Sequence, residues 1–358
     1  SNEEAETIKE QILILWKEKL EKKIRDSQPD LIGITCTFTM SHVMTIKVAD
    51  YIKDNHANLP IIAGGVHITN ASEIVLKEGK SIDFISLYES DQSFCNLLDF
   101  VNGKTSEEKL TQLATLIDDK YVSLKDRIFP NGEDMNVIPD YLDLPLAKYD
   151  SLGEIGTFRY WRPKNSKAST SLSNRGCRAR CSFCSVRNFN GNDVRSRSPE
   201  SVVDEIEELV TKHDISHITW LDDDLFYDAP RTIRLFNEIK DRKLNITWDA
   251  SNGIIVSAAV VSPQLVQSAA ESGCIGMYFG IESGNPEILR KIHKPSGVRH
   301  YLKLGKLMEQ FPQIFTRGFL IIGFPNETFG QMLDTVKIAQ AMKLDWCTVQ
   351  LLTPLPNT

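Results

Sequence analysis

The chain lacks an apolar run long enough to cross a bilayer. Its longest, such as Ile254 to Val261, are interrupted by serine and alanine and fall well short of the roughly 20 residues a membrane span needs. It also lacks the basic-then-apolar opening of a signal peptide, since Ser1-Asn2-Glu3-Glu4 is acidic; a cytoplasmic location is the expectation. An excess of positive charge is missing too. The 358 residues carry a formal net charge of −7, whereas a general nucleic-acid binder needs a basic face for phosphate contacts. No short-period repeat, low-complexity tract or long charge run is present. With 41% hydrophobic and 25% charged residues, disordered and fibrous classes are excluded, and the length suffices for two domains with separate cores.

A spread, paired set of cysteines is likewise absent. There are seven, an odd number, and Cys177, Cys181 and Cys184 crowd together, which does not suit a disulfide framework and points to metal binding. Cys36, Cys95, Cys274 and Cys347 lie in apolar surroundings and read as small core residues.

Residues 4 to 26 read as an amphipathic, core-facing helix, with Ile8, Ile12, Leu15, Trp16, Leu20 and Ile24 on one stripe. After Gln28-Pro29-Asp30 come three short apolar strands, at 31–35, 60–63 and 82–87, with a helix through Ile52 after the first and Gly64-Gly65 closing the second. Strand, helix, strand, helix, strand is the doubly wound pattern, so residues 1–100 are expected to form a flavodoxin-like or Rossmann-like parallel sheet. Between 101 and 165 the periodicity weakens around Asn102-Gly103-Lys104, Pro130-Asn131-Gly132, Pro139 and Pro145, as in a surface linker. From 166 to 358 a new rhythm begins: β-rich runs at 169–173, 217–221, 246–250, 277–281, 317–322 and 346–352 alternate with helical stretches such as Pro199 to His213. This predicts a partial (β/α)6 TIM-type barrel, in which functional groups gather where strands end and loops begin.

Asn174 to Cys184 follows the first of these strands. Three thiolates, separated by three and then two residues, can hold one iron–sulfur cluster, whereas clusters used only for electron transfer usually take four cysteines. One iron is then open to a substrate group. Arg178 and Arg180 either offset the charge of the thiolates or are solvated loop residues. A structural zinc site would want a fourth ligand and commonly a second half-site, and the nearest histidine, His213, is expected at the far end of the following helix.

Cys177-x3-Cys181-x2-Cys184, with Phe183 before the last cysteine, resembles the radical SAM superfamily. The resemblance implies a [4Fe–4S] cluster on the three cysteines that binds S-adenosylmethionine and cleaves it to a 5′-deoxyadenosyl radical. It places Phe183 near the adenine. It makes Asp222-Asp223-Asp224, after the second barrel strand, the holder of the methionine amine, with Asp223 first among them; a solvated loop or helix cap is the plain alternative. Gly280-Ile281-Glu282-Ser283-Gly284 resembles the segment ending the fourth strand, with Glu282 and Ser283 toward ribose or carboxylate, though its glycines alone would explain a turn. The segment from Gly318 to Thr328 resembles the fifth-strand motif beside the adenine, with Gly323 and Pro325 shaping that wall. Lys291 and Lys294 read as solvated.

Residues 29–35 and Ala63-Gly64-Gly65-Val66-His67 resemble the cobalamin-binding domain found ahead of such barrels, with Thr35, Thr37, Gly64, Gly65 and His67 toward the corrinoid. Glycines there let the backbone approach a large planar ligand. The segment that would carry a cobalt-ligating histidine ahead of this region has no counterpart, His42 and His67 read as loop or helix residues, and Leu87-Tyr88-Glu89-Ser90-Asp91 replaces a glycine- and glutamate-rich segment. By this resemblance the chain begins late in the first domain and ends at the sixth barrel strand, so flanking parts are expected to be missing. The resemblance implies cobalamin-dependent methylation of an unactivated carbon or phosphorus, served by a reductant such as flavodoxin or ferredoxin, on a small-molecule or peptide substrate. A cyclase or rearrangement enzyme and a redox sensor are the alternatives. A methylthiotransferase would want three further cysteines in the first domain, where only Cys36 and Cys95 occur.

Overall fold

The computed structural model describes residues 2–124, 126–142, 144–146, 148–149, 158–356 and 358. The chain divides into two units, Ser1–Ile128 and Phe129–Thr358. Among the described residues no helix is long and apolar enough to cross a membrane.

In the first unit, strands β1 (Ile32–Thr35), β2 (Ile61–Gly64), β3 (Phe84–Ser86), β4 (Leu113–Ile117) and β5 (Lys120–Leu124) form one five-stranded sheet in that order. The first three pair in parallel, as their continuous apolar runs predict, and bury Ile61, Ala63 and Ile85 against Ile52, Ile68 and Leu76 of the flanking helices. β4 and β5 extend the sheet antiparallel from within the expected linker. Their two-residue turn, Asp118-Asp119, has both φ positive, at 50° and 58°, the backbone of a tight hairpin. Aspartates are poorer markers of that turn than Asn-Gly, which is why the hairpin escapes a reading of the sequence.

The helix Asn2–Ser27 forms as expected, but its stripe is not core-facing throughout. Ile24 is buried and Leu20 packs on the same core, whereas Ile12 and Leu15 are exposed; Ile8 lies outside the described side chains. A helix of 26 residues is about 39 Å long and outruns a sheet whose strands have five residues or fewer.

In the second unit, β6 (Ala168–Ser171) is followed by a small ribbon, β7 (Asn174–Arg175) with β8 (Arg195–Ser196), that brackets the cysteine loop. Then come β9 (His217–Trp220), β10 (Thr247–Ile255), β11 (Cys274–Glu282), β12 (Phe315–Ile322) and β13 (Trp346–Leu351). β6 and β9 to β13 make a six-stranded, all-parallel sheet with helices in each connection, the partial barrel the sequence predicts. Local chemistry starts those helices: Ser198 accepts a hydrogen bond from the Ser201 N–H with Pro199 in the first turn, and Thr328 forms a reciprocal capping pair with Gln331.

Phe158, also expected in the linker, is wholly buried inside the barrel against Tyr278 and Phe315. Gly276 makes room for it, because a Cβ there would lie 2.4 Å from the ring. Cys36 and Cys274 are core residues as expected, Cys347 is half-buried, and Cys95 departs from expectation by being exposed.

Candidate functional site

Cys177, Cys181 and Cys184 line one cavity of about 200 Å3 in the barrel unit, together with Phe183, Asp223, Glu282 and Lys294. Those side chains come from four places in the chain: the cysteine loop, the segment after β9, the end of β11 and the turn after helix Pro286–Lys291. Gly253 and Phe319, from β10 and β12, also line it, and the Phe319 ring stacks flat on Tyr278 with centroids 3.6 Å apart. Parallel strands ending side by side bring these distant residues together.

The aspartate triplet divides its labour. Asp222 is buried and accepts hydrogen bonds from the Ser173 N–H at 3.0 Å and the Asn174 N–H at 2.9 Å, and a short one from the Ser173 hydroxyl. Burial still pushes its carboxyl up to about 6. Asp224 is buried and held by Arg178 from inside the cysteine loop, with Nε to Oδ2 at 2.6 Å. Both therefore anchor the loop. Asp223 faces the cavity and accepts from the Asn190 side-chain amide at 2.6 Å and the Gly176 N–H at 3.4 Å. Gly176 has φ 96° and no room for a Cβ, which would lie 2.2 Å from the Asp193 carbonyl oxygen.

Glu282 lines the cavity, but Ser283 does not. Ser283 is wholly buried, and its hydroxyl meets Thr335 at 3.3 Å and accepts from the Asn285 N–H at 3.1 Å, tying the turn to helix Phe329–Met342. Lys291 is exposed and pairs with Glu287, as a solvated lysine should. Lys294 is not solvated: its side chain is 7% exposed and its ammonium donates to Glu282 at 2.8 Å. Helical periodicity carries no signal for this, because Lys294 lies beyond the helix end in a turn where His293 has φ 54°. Asn190, which holds Asp223, carried no motif either, whereas Phe319 lies within the expected fifth-strand segment without having been singled out there.

A second cavity, of about 450 Å3, lies on the other side of Phe183 and is lined by Phe324, Pro325, Ile288 and Leu352. Phe183 and Phe324 rings are 5.9 Å apart. Gly323, at φ 87°, turns the chain out of β12, and its N–H donates to Glu327 at 2.6 Å.

The cysteines can be tested as ligands on their surroundings. Burial pushes the Cys177 thiol up to about 12, with Asp224 and Asp223 adding to it, and raises Cys181 and Cys184 as well. Free thiolates are thus disfavoured, and a bound cation has to displace the protons. Three thiols set around one cavity suit a multi-iron cluster with an open corner.

In the first unit the C-terminal ends of β1 and β2 form a rim, where Thr35 pairs with Gly64. Gly65 has φ 107°, and a Cβ there would meet the Cys36 carbonyl oxygen at 2.7 Å. Thr35 and Thr37 are exposed beside Phe38 and Met40, which are 67% and 90% exposed. An apolar, glycine-edged rim at the carboxyl ends of parallel strands suits a flat macrocycle. His67 is buried, with Nε2 2.8 Å from His42 Nδ1 and Nδ1 3.1 Å from the Thr39 hydroxyl. Glu78 lies 3.0 Å from the other nitrogen of His42. Burial, then His42, lowers the His67 pKa.

The B12 binding domain family model matches residues 6–98, and the Radical SAM superfamily model matches residues 172–339. The uncharacterized methyltransferase PH0819 of Pyrococcus horikoshii is 29% identical over 337 residues, 94% of this chain and 70% of that protein. The anaerobic magnesium-protoporphyrin IX monomethyl ester cyclase of Rubrivivax gelatinosus is 26% identical, over 96% of this chain and 60% of the cyclase. The cytidylyl-2-hydroxyethylphosphonate methyltransferase of Streptomyces wedmorensis is 24% identical, over 85% of this chain and 59% of its own length. The chain thus spans about three fifths of the last two. Among solved structures, the methyltransferase TsrM of Kitasatospora setae, with cobalamin and a [4Fe–4S] cluster bound, shares the fold. Its TM-score is 0.78 at 18% identity, over 96% of this chain and 65% of TsrM. The cobalamin-dependent radical enzyme OxsB gives 0.75 at 18% identity, over 90% of this chain and 45% of OxsB. Two domain models in this order, on a parallel-sheet unit and a partial barrel with its three cysteines at one cavity, lead to one conclusion: the chain carries a radical SAM domain preceded by a B12-binding domain.

Proposed function

We propose that this chain is the core of a cobalamin-dependent radical SAM methyltransferase that acts on an unactivated carbon or phosphorus centre. The observation that carries the reading is the single cavity shared by Cys177, Cys181, Cys184, Asp223 and Glu282. The three cysteines would hold a [4Fe–4S] cluster and the rim around Thr35, Thr37, Gly64 and Gly65 a corrinoid. When bound, these supply an electron to S-adenosylmethionine and a carrier for its methyl group, chemistry that no side chain provides.

The chain's own residues bind and orient. Asp223, the member of the triplet that faces the cavity, accepts the methionine amine. Glu282 offers an acceptor to the ribose. Phe183, with Phe324 and Pro325, forms an apolar wall for the adenine, and Gly323 sets the turn that brings Pro325 there. Asp222 and Asp224 keep the loop in place. A one-electron donor such as flavodoxin or ferredoxin is required.

The experiment is anaerobic reconstitution with iron, sulfide and cobalamin, followed by dithionite, S-adenosylmethionine and mass spectrometry. Formation of 5′-deoxyadenosine with corrin absorbance retained supports the proposal. A loaded cluster with no cleavage of S-adenosylmethionine would favour a redox sensor and end the enzyme reading. The likeness to the cyclase over 96% of the chain keeps cyclisation as a second reading, told apart by whether the product gains the mass of a methyl group.

A further inference from the structure

Lys294 and Glu282 are an ion pair built into the wall of the cysteine cavity, with Nζ and Oε1 2.8 Å apart and side chains 7% and 10% exposed. Several local features exist to place it. Glu282 sits at φ 63°, a left-handed backbone uncommon for a residue with a Cβ, and thereby turns its carboxylate into the cavity at the end of β11. Gly280 leaves space, since a Cβ there would lie 2.8 Å from the Lys294 ammonium and 3.0 Å from the Glu282 carboxylate. The backbone N–H of Lys294 closes on the Leu289 carbonyl at 3.0 Å, and in the same turn the Ile292 carbonyl accepts from the N–H of Ser182, next to Cys181, at 3.1 Å. The turn that carries the lysine is thus hydrogen-bonded to the cysteine loop.

Stability is a weak reason for such a pair. Removing two charges from water costs several kcal/mol per ion, and packed apolar residues commonly do as well. Burial alone would lower the ammonium's pKa, but Glu282 and then Cys181 outweigh it and raise it. The 2.8 Å ion pair with Glu282 holds Lys294 as a cation in the wall it shares with the three thiols. The other cation in this wall, Arg187, has a guanidinium nitrogen 3.4 Å from the carbonyls of Ala179 and Asn192.

Building on the cluster reading above, we propose that Lys294, with Glu282 as its counter-charge, sets the reduction potential of the cluster held by Cys177, Cys181 and Cys184. Reduction adds one negative charge, and a buried cation stabilises that charge more than an exposed one, because little water screens it. Net charge and exposure near the sulfurs are the protein's main controls on such potentials. Lys294 pulls the potential up and Glu282 pulls it down, so the pair acts on the cluster through its charge.

The test is a redox titration, followed by optical and electron paramagnetic resonance spectra, of the reconstituted wild type, Lys294→Gln, Lys294→Arg and Glu282→Gln, each with its iron and sulfide content measured and without S-adenosylmethionine. The midpoint should become more negative in Lys294→Gln, stay near the wild type in Lys294→Arg and become more positive in Glu282→Gln. Equal midpoints in variants that hold wild-type iron, or shifts of the same sign from Lys294→Gln and Glu282→Gln, would overturn the proposal. So would an unchanged midpoint in Lys294→Gln together with weaker binding of S-adenosylmethionine in a separate equilibrium dialysis, which would assign the lysine to that ligand. Absence of a cluster in the wild type would instead remove the reading on which the proposal rests, and the iron count tells the two failures apart. If Lys294→Gln does not fold by circular dichroism, the Lys294→Arg and Glu282→Gln midpoints still decide.

Discussion

Arg178 grips Asp224 through two parallel hydrogen bonds, Nε to Oδ2 at 2.6 Å and Nη2 to Oδ1 at 3.0 Å, and gives a further one to the Phe226 carbonyl at 2.8 Å. One residue belongs to the cysteine loop and the other to the segment after β9, so the pair fixes the loop to the barrel. Arg178→Met leaves the buried Asp224 carboxylate without its charged partner, a loss on the order of 1–3 kcal/mol. Lysine cannot make the two-point grip, so Arg178→Lys should fall between. The expected outcome is a lower denaturation midpoint and less iron per chain after reconstitution. Full iron and an unchanged midpoint in Arg178→Met would show that the loop is held by other means.

Asp223 differs from its neighbours in facing the cavity, and its substitution should separate ligand binding from folding. Asp223→Asn keeps the shape but removes the negative charge offered to an ammonium group. Affinity for S-adenosylmethionine should fall by about tenfold or more, equivalent to ~1.4 kcal/mol, with iron content unchanged. Equilibrium dialysis on the reconstituted protein measures this. An unaltered affinity would move the amine site away from Asp223.

Much of this arrangement was legible in the sequence because it rests on continuous patterns. The apolar runs at 31–35 and 60–63 and the six runs from 169 to 352 became strands, since a parallel sheet buries both faces and leaves few other readings. Cys177, Cys181 and Cys184 share one loop, so spacing alone brought them to one cavity. What was illegible depends on tertiary contact. Phe158 stands in a stretch without periodicity, and its burial follows from the space left by Gly276. Lys294 and Ser283 exchanged their expected settings for the same kind of reason, because short turns with left-handed residues decide which way each side chain points.

The buried carboxyl of Asp222 gives a pH dependence of definite sign. Its folded value, pushed up to about 6 by burial, lies above the roughly 3.9 of an exposed aspartate. Between those values the folded chain holds more of this proton than the unfolded chain, so stability from this group falls as the pH rises through the window and is level above it. The difference in denaturation midpoint between wild type and Asp222→Asn should therefore shrink, or change sign against the wild type, from about pH 4 to about pH 6. A difference that does not vary across that window would show the carboxyl to be unperturbed.

Gly33 lies in β1 and Gly65 in the turn that follows β2 of the same small sheet, yet alanine should affect them in opposite ways. At Gly65 the backbone is at φ 107° and a Cβ would lie 2.7 Å from the Cys36 carbonyl oxygen, so neither the conformation nor the space admits it. The backbone must shift, at a cost of order 1–3 kcal/mol, and the shift occurs at the rim proposed to receive the corrin. At Gly33, in the middle of β1, nothing lies within 4 Å of the added carbon. Alanine there narrows the unfolded ensemble and should be neutral or stabilising by up to about 1 kcal/mol. Urea denaturation of both variants checks the stability contrast, and retention of corrin absorbance after gel filtration checks the site. Loss of corrin in Gly65→Ala but not in Gly33→Ala ties cobalamin to the β2 turn, while equal retention by both would place the corrinoid elsewhere.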